Sequence, residues 1–182
     1  FFVLPAAWSR RRGAGAEADL AACLHDELAA RGWLETPLAV RSSAVGEDAA
    51  AASFAGIYRS CLNVRGVAGL VAAVGEVWAS LDTPTAAAYR TRLGLDGEPE
   101  MAVVVMPLLA ARASGIAFTC DPLSGREDRM VVHAQWGLGE TLVGGETDGD
   151  EYVFGEDATD TWRVIGQRRG SKRKPGQAAA RQ

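Results

Sequence analysis

The chain has 182 residues, 48% hydrophobic and 23% charged, which is the balance of a folded domain and not of a disordered or membrane-embedded chain. A net charge of −4 gives no global case for nucleic acid or a membrane surface as partner. Cys23, Cys61 and Cys120 lie far apart without metal-type spacing, so they read as reduced, buried thiols of a cytoplasmic protein.

The apolar start, Phe1 to Leu4, precedes Arg10-Arg11-Arg12. That order is wrong for a signal peptide. A start in mid-strand without methionine is expected of an excerpt. No apolar stretch approaches the roughly 18 residues that span a bilayer. Glu17 to Arg31 carries Leu20, Leu24 and Leu28 on one helical stripe, closed by Gly32. Leu38 to Val40 reads as a short strand, followed by a loop of small and acidic residues from Arg41 to Ser53. Phe54 to Val64 fits a strand pair or one bent strand. Val67, Leu70, Val71, Val74, Val77, Trp78 and Leu81 give the clearest amphipathic helix. Thr83 and Pro84 start another, as N-cap and first-turn residue, and Gly94 ends it.

Met101 to Leu109 is apolar throughout and β-branched at its centre, the pattern of a buried strand. Further strands are expected at Gly115–Thr119 and Met130–Gln135, around a turn at Leu123–Arg126. A last hairpin should join Glu151–Phe154 to Trp162–Ile165. The basic tail beyond Arg168 has the composition of a disordered end. Strands and helices without regular alternation argue for an α+β fold.

Four segments could carry chemistry. In Val40-Arg41-Ser42-Ser43-Ala44-Val45-Gly46-Glu47-Asp48, a guanidinium after a strand could fork onto phosphate oxygens. Taken alone, these residues fit a surface loop with an Arg–Glu pair better than a phosphate grip. Ser53-Phe54-Ala55-Gly56 could approach a phosphate through backbone N–H groups, or simply turn. Ala113 to Pro122 reads as a strand closed by an Asp-Pro turn. Gly137-Leu138-Gly139-Glu140 lacks the third glycine of a dinucleotide fingerprint, so it either cradles a ligand or caps a helix. His25, on a solvated helix face, and His133, in a strand, are isolated and read as structural.

In order and spacing, VRSSAVGED, SFAGIYRSCLNV, WASL, AYRTRLG, AVVVMPLL, ASGIAFTCDP, WGLGETLVGGETDGDEY and GSK resemble the nucleotide-binding domain of the phosphoenolpyruvate synthase and pyruvate phosphate dikinase family. Rifampin phosphotransferases share that domain. The resemblance implies an ATP-grasp-type lobe, a mixed or antiparallel sheet with packed helices, in which two subdomains close on ATP. It places a partial domain over residues 1–170 and a basic tail, disordered or truncated, over 171–182. It implies ATP as ligand, with Mg2+ held by residues outside this piece. Arg41 and Ser42 are expected at the β/γ-phosphates, Ser53 to Gly56 over the triphosphate, and Ser60 where threonine is usual. Arg90 is a second phosphate cation. Met106, Pro107, Leu108 and Leu109 form the hinge that bonds adenine through its backbone. No catalytic residue and no metal ligand are expected in this piece.

The chain departs from the family pattern at Met106, usually glutamine, at Ile57-Tyr58, usually two glutamines, and at Gly149, usually proline. The implied partners are the phosphohistidine and pyruvate/phosphoenolpyruvate domains of a parent chain. The phosphotransferase would phosphorylate a histidine on one of them. The alternatives are the same module in a rifampin-type phosphotransferase, or a non-catalytic remnant of the fold. Without those domains the piece is expected to turn nothing over, and to bind ATP with a constant on the order of 0.1–1 mM or weaker.

Overall fold

The computed structural model describes residues 1–11, 14–44, 56–92, 94, 99–156 and 161–170. They form an α+β fold whose two four-stranded sheets are both antiparallel. The chain divides into two compact units, Phe1–Leu108 and Leu109–Gln182.

The first unit holds one sheet, ordered β1-β4-β2-β3, from Phe2–Leu4 (β1), Leu38–Ala44 (β2), Ser60–Val64 (β3) and Met101–Pro107 (β4). One of its faces is covered. Phe2 and Leu4, Leu38 and Val40, and Met101, Val103 and Val105 point there into the core. They meet Leu20, Leu24 and Leu28 of α1 (Ala14–Arg31) and Leu70, Ala73, Val74 and Val77 of α2 (Gly66–Ala79). The predicted helical stripes are therefore the faces that are buried, and their burial is the main source of stability. Gly32, at φ 67°, ends α1. Its N–H donates to the Ala29 carbonyl at 3.1 Å, and that of Trp33 to Leu28 at 2.8 Å, the paired bonds of a Schellman stop.

After a 3-10 turn at Ser80–Asp82 comes α3 (Pro84–Arg92). The Thr83 hydroxyl accepts the Ala86 N–H at 3.3 Å, as an N-cap does. Thr83→Ala is expected to cost about 1 kcal/mol, read from the midpoint of a urea unfolding curve.

Three expectations need correction. Arg41 to Ala44 is not loop but the second half of β2, because β4 pairs with it as far as Ala44↔Met101 and satisfies its backbone. The apolar run of β4 is buried on one side only: Met101, Val103 and Val105 are covered, and Ala102, Val104 and Met106 are half-exposed. Cys120 is exposed, and Cys23 and Cys61 are half-buried, though all three are free thiols.

The second unit is a meander, β5-β6-β7-β8, of Ala113–Phe118, Arg129–Trp136, Asp150–Glu156 and Trp162–Arg168. The β7–β8 hairpin appears where expected, each strand three residues longer than its expected span. Gly139 precedes one helical turn, α4 (Glu140–Val143), so the glycine segment caps a helix. The side chain of Gln135 donates to the Thr141 hydroxyl at 3.0 Å and accepts from that of Thr147 at 2.8 Å, which ties the turn to β6. Gly149 stands where a Cβ would lie 2.9 Å from the Ala134 carbonyl oxygen. A proline ring cannot enter that space unless the backbone shifts, which gives a packing reason for glycine at this position.

Candidate functional site

Register decides which side chains share a face. Directly opposed residues of an antiparallel pair point the same way, and alternate residues point oppositely. Arg41 opposes Ser60 on β3 and Val104 on β4, and Val104 opposes Val3 on β1. These four make a row across the sheet on the face away from the helices. Ala39 with Met106 forms the next row on that face, and Ser43 with Ala102 the row on the other side. Three residues assigned by resemblance, Arg41, Ser60 and Met106, thus stand together on the face away from the helices, which is exposed at Arg41 and Ser60 and buried at Ala39. Each is separated from the next row by two residues of strand, roughly 7 Å.

Arg41 is exposed, and among the described residues it has no ion-pair or hydrogen-bond partner. Glu47 and Asp48, the acids nearest in sequence, lie outside the described residues, as does Ser53. Ser42 opposes the buried Val103 and so points to the core side, apart from Arg41. Ser43 is the serine on Arg41's face, a placement the sequence could have given had the strand period been carried past Val40. Gly56 adopts φ 77°, in the left-handed region that favours glycine, at the turn leading to β3.

Arg90 sits on α3 and donates through Nη1 to the Leu81 carbonyl at 2.6 Å. That bond uses one of five guanidinium donors. It also fixes Arg90 beside the turn that follows Trp78, whose indole N–H donates to the Met101 carbonyl at 3.0 Å. Arg90 is therefore held against the turn after α2, whose Leu81 packs in the core on the helix side of the sheet. Met106 and Pro107 end β4, and Leu108 follows. The Leu108 N–H donates to the Pro37 carbonyl at 2.8 Å, which holds the strand exit in line with β2. Leu109 begins the second unit and is exposed.

The remaining motifs take structural roles. The Asp121 carboxylate accepts the Ser124 hydroxyl at 2.5 Å and the Leu123 N–H at 2.9 Å, closing the predicted Asp-Pro turn. Those two bonds, the serine's first, hold its pKa below the usual carboxylate range. His25 is exposed beside Asp26, and His133 stands 3.8 Å from Glu151 on the neighbouring strand. Among the described residues, no group of three His, Cys, Asp or Glu side chains is placed to hold a metal ion. No described helix is long and apolar enough to cross a membrane.

Residues 17–179 match the family model described as the pyruvate phosphate dikinase AMP/ATP-binding domain. The chain is 47% identical over 120 residues to a phosphoenolpyruvate synthase of Aeropyrum pernix, covering 65% of this chain and 15% of that protein. It is 45% identical over 135 residues to a rifampicin phosphotransferase of Streptomyces sviceus, covering 74% and 15%. It is 37% identical over 142 residues to a phosphoenolpyruvate synthase of Pyrococcus furiosus, covering 77% and 17%. The chain therefore spans about a sixth of the length of these relatives.

Proposed function

Because the chain belongs to the pyruvate phosphate dikinase AMP/ATP-binding family, we propose that it binds ATP on the uncovered face of its first sheet, as the nucleotide module of a dikinase. In that enzyme ATP phosphorylates a histidine on another domain, en route between pyruvate and phosphoenolpyruvate. The observation that carries the reading is the cross-strand row. It sets the Arg41 guanidinium, without an ion-pair or hydrogen-bond partner among the described residues, beside Ser60 and one row from Met106.

Chemically, this face offers cationic and hydroxyl donors at one end and a strand exit at the other. Arg41 neutralises charge on the β/γ-phosphates, and Ser60 adds a neutral donor. Arg90 is the second cation, keeping four N–H donors beyond the one given to Leu81. Met106 to Leu109 orient the base. Pre-placed donors of this kind act by positioning and by stabilising charge on the transferring phosphoryl group. Mg2+ accompanies the nucleotide in this reading. The described residues offer no ligand cluster that fits it, so the part played by this chain is confined to phosphates and base. The phosphohistidine and pyruvate/phosphoenolpyruvate domains are the proposed partners, and the cytoplasm the proposed compartment.

Titration with ATP, followed by NMR shifts at millimolar nucleotide, tests the reading. Saturable shifts confined to β2, β3 and the β4 exit are expected. No saturation, or shifts only in the second unit, removes it. The 45% identity to a rifampicin phosphotransferase supports a second reading of the same module. Assay of a whole protein bearing this chain, with ATP and either pyruvate or rifampicin, separates the two.

A further inference from the structure

We propose that a pocket on the helix side of the first unit binds an aromatic α-amino acid, held at once by its ring, its carboxylate and its ammonium. This goes beyond the ATP reading and does not depend on it.

The pocket forms where a 3-10 turn at Ala6–Arg10 meets α1 and α2. Its volume is about 370 Å³, inside the roughly 300–1,000 Å³ usual for small-molecule sites. Trp8 lines it from the turn and Trp78 from the end of α2, and both are half-buried. The Trp78 indole N–H donates to the Met101 carbonyl at 3.0 Å, which fixes that ring. Ala72 and Gly75 of α2 leave space, and a Cβ added at Gly75 meets nothing within 4 Å. Indoles beside small residues suit a flat ligand, and ring-on-ring contact favours an aromatic one.

Two charges line the same pocket. Arg11 Cζ sits over the Trp8 ring, 4.3 Å from its centroid. That contact positions the guanidinium and leaves its N–H donors unused. Glu17 lines the pocket from the first turn of α1. Both side chains are exposed, and among the described residues neither has an ion pair or hydrogen bond, with the other or with a third group. The adjacent Arg10, by contrast, pairs with Glu100. Opposite charges that line one cavity without meeting are both satisfied by a ligand that carries both signs. An α-amino acid bears them on one carbon. Its carboxylate accepts from the Arg11 fork, and its ammonium donates to Glu17.

Titration of the chain with L-tryptophan, followed at the indole N–H signals of Trp8 and Trp78 by NMR, tests the site. Saturable shifts at both are expected, with a dissociation constant on the order of 1 mM. N-acetyl-L-tryptophan lacks the ammonium, L-tryptophanamide the carboxylate and L-alanine the ring. Each should bind about threefold to tenfold more weakly, the range between an exposed ion pair and a charge-assisted hydrogen bond. Arg11→Gln should weaken L-tryptophan by the same factor and leave L-tryptophanamide unchanged. Glu17→Gln should weaken L-tryptophan and leave the N-acetyl form unchanged. No saturation at the two indoles, or equal binding of all four probes, overturns the proposal. Full affinity in Arg11→Gln or Glu17→Gln also overturns it, because Arg11 then only covers Trp8, or Glu17 only complements the start of α1.

Discussion

Arg41→Ala is expected to weaken ATP binding between about tenfold and a hundredfold. A hydrogen bond to a charged group contributes about 1.5–3 kcal/mol, and each tenfold is about 1.4 kcal/mol. The size follows from the surroundings of the side chain. It stands exposed on the uncovered face, in a row with Ser60, with no ionic partner among the described residues. A cation so placed loses little when removed from the free protein and much when removed from a phosphate complex. Stability should therefore hold while affinity falls. Arg41→Lys should restore little, since an ammonium cannot reproduce a planar fork. The competing account pairs Arg41 with Glu47 or Asp48. It predicts the reverse, a lower melting temperature with affinity intact. Calorimetric titration and thermal melting on one preparation decide. In a whole enzyme the loss should extend to turnover, because the phosphoryl charge redistributes in the transition state.

The legible parts of this fold are those set by local pattern. The leucines of α1 and the Leu70–Val77 stripe of α2 are exposed or buried as helical spacing dictates. Thr83 with Pro84 marks a helix start that the backbone uses. Sheet order is another matter. The arrangement β1-β4-β2-β3 joins strands about a hundred residues apart, and no local signal carries that pairing. The same gap hid the length of β2. Arg41-Ser42-Ser43-Ala44 has no β-branched or aromatic residue, so propensity reads it as loop. Only the ladder to Met101–Val104 makes it strand. Once it is strand, parity separates two adjacent serines that composition treats alike. Ser42 turns to the core side, and Ser43 joins Arg41. The candidate site was thus legible as a set of residue types, and its geometry was not.

Two glycine-to-alanine exchanges should have opposite signs, and the larger is at Gly170. A Cβ there would collide with the carbonyl oxygens of Asp148 and Gly149 and with the Gly149 carbonyl carbon. All three are backbone atoms, which cannot turn aside as a side chain does. The Gly170 N–H also donates to the carboxylate of Asp150, at 3.1 Å, and that residue is only 4% exposed. Relief of the collision moves Gly170 away from this acceptor. Overpacking costs about 1–3 kcal/mol, and a weakened bond to a buried carboxylate adds roughly 1.5 kcal/mol or more. The second unit has little core to absorb this. Val131 and Leu142 are its buried large apolar side chains among the described residues. At about 4–8 °C per kcal/mol for a unit of this size, Gly170→Ala should lower the melting temperature of the second unit by about 10 °C or more. Gly75 supplies the contrast. It lies inside α2, exposed, with nothing within 4 Å of an added Cβ. Alanine there restricts the unfolded chain and favours helix, so Gly75→Ala should stabilise the first unit by about 0.5–1 kcal/mol. Hydrogen exchange resolved by unit reads both effects in one experiment. Equal protection of β7 and β8 in Gly170→Ala and in the unaltered chain would show that the close approach at Asp148 and Gly149 is not what holds that hairpin's end.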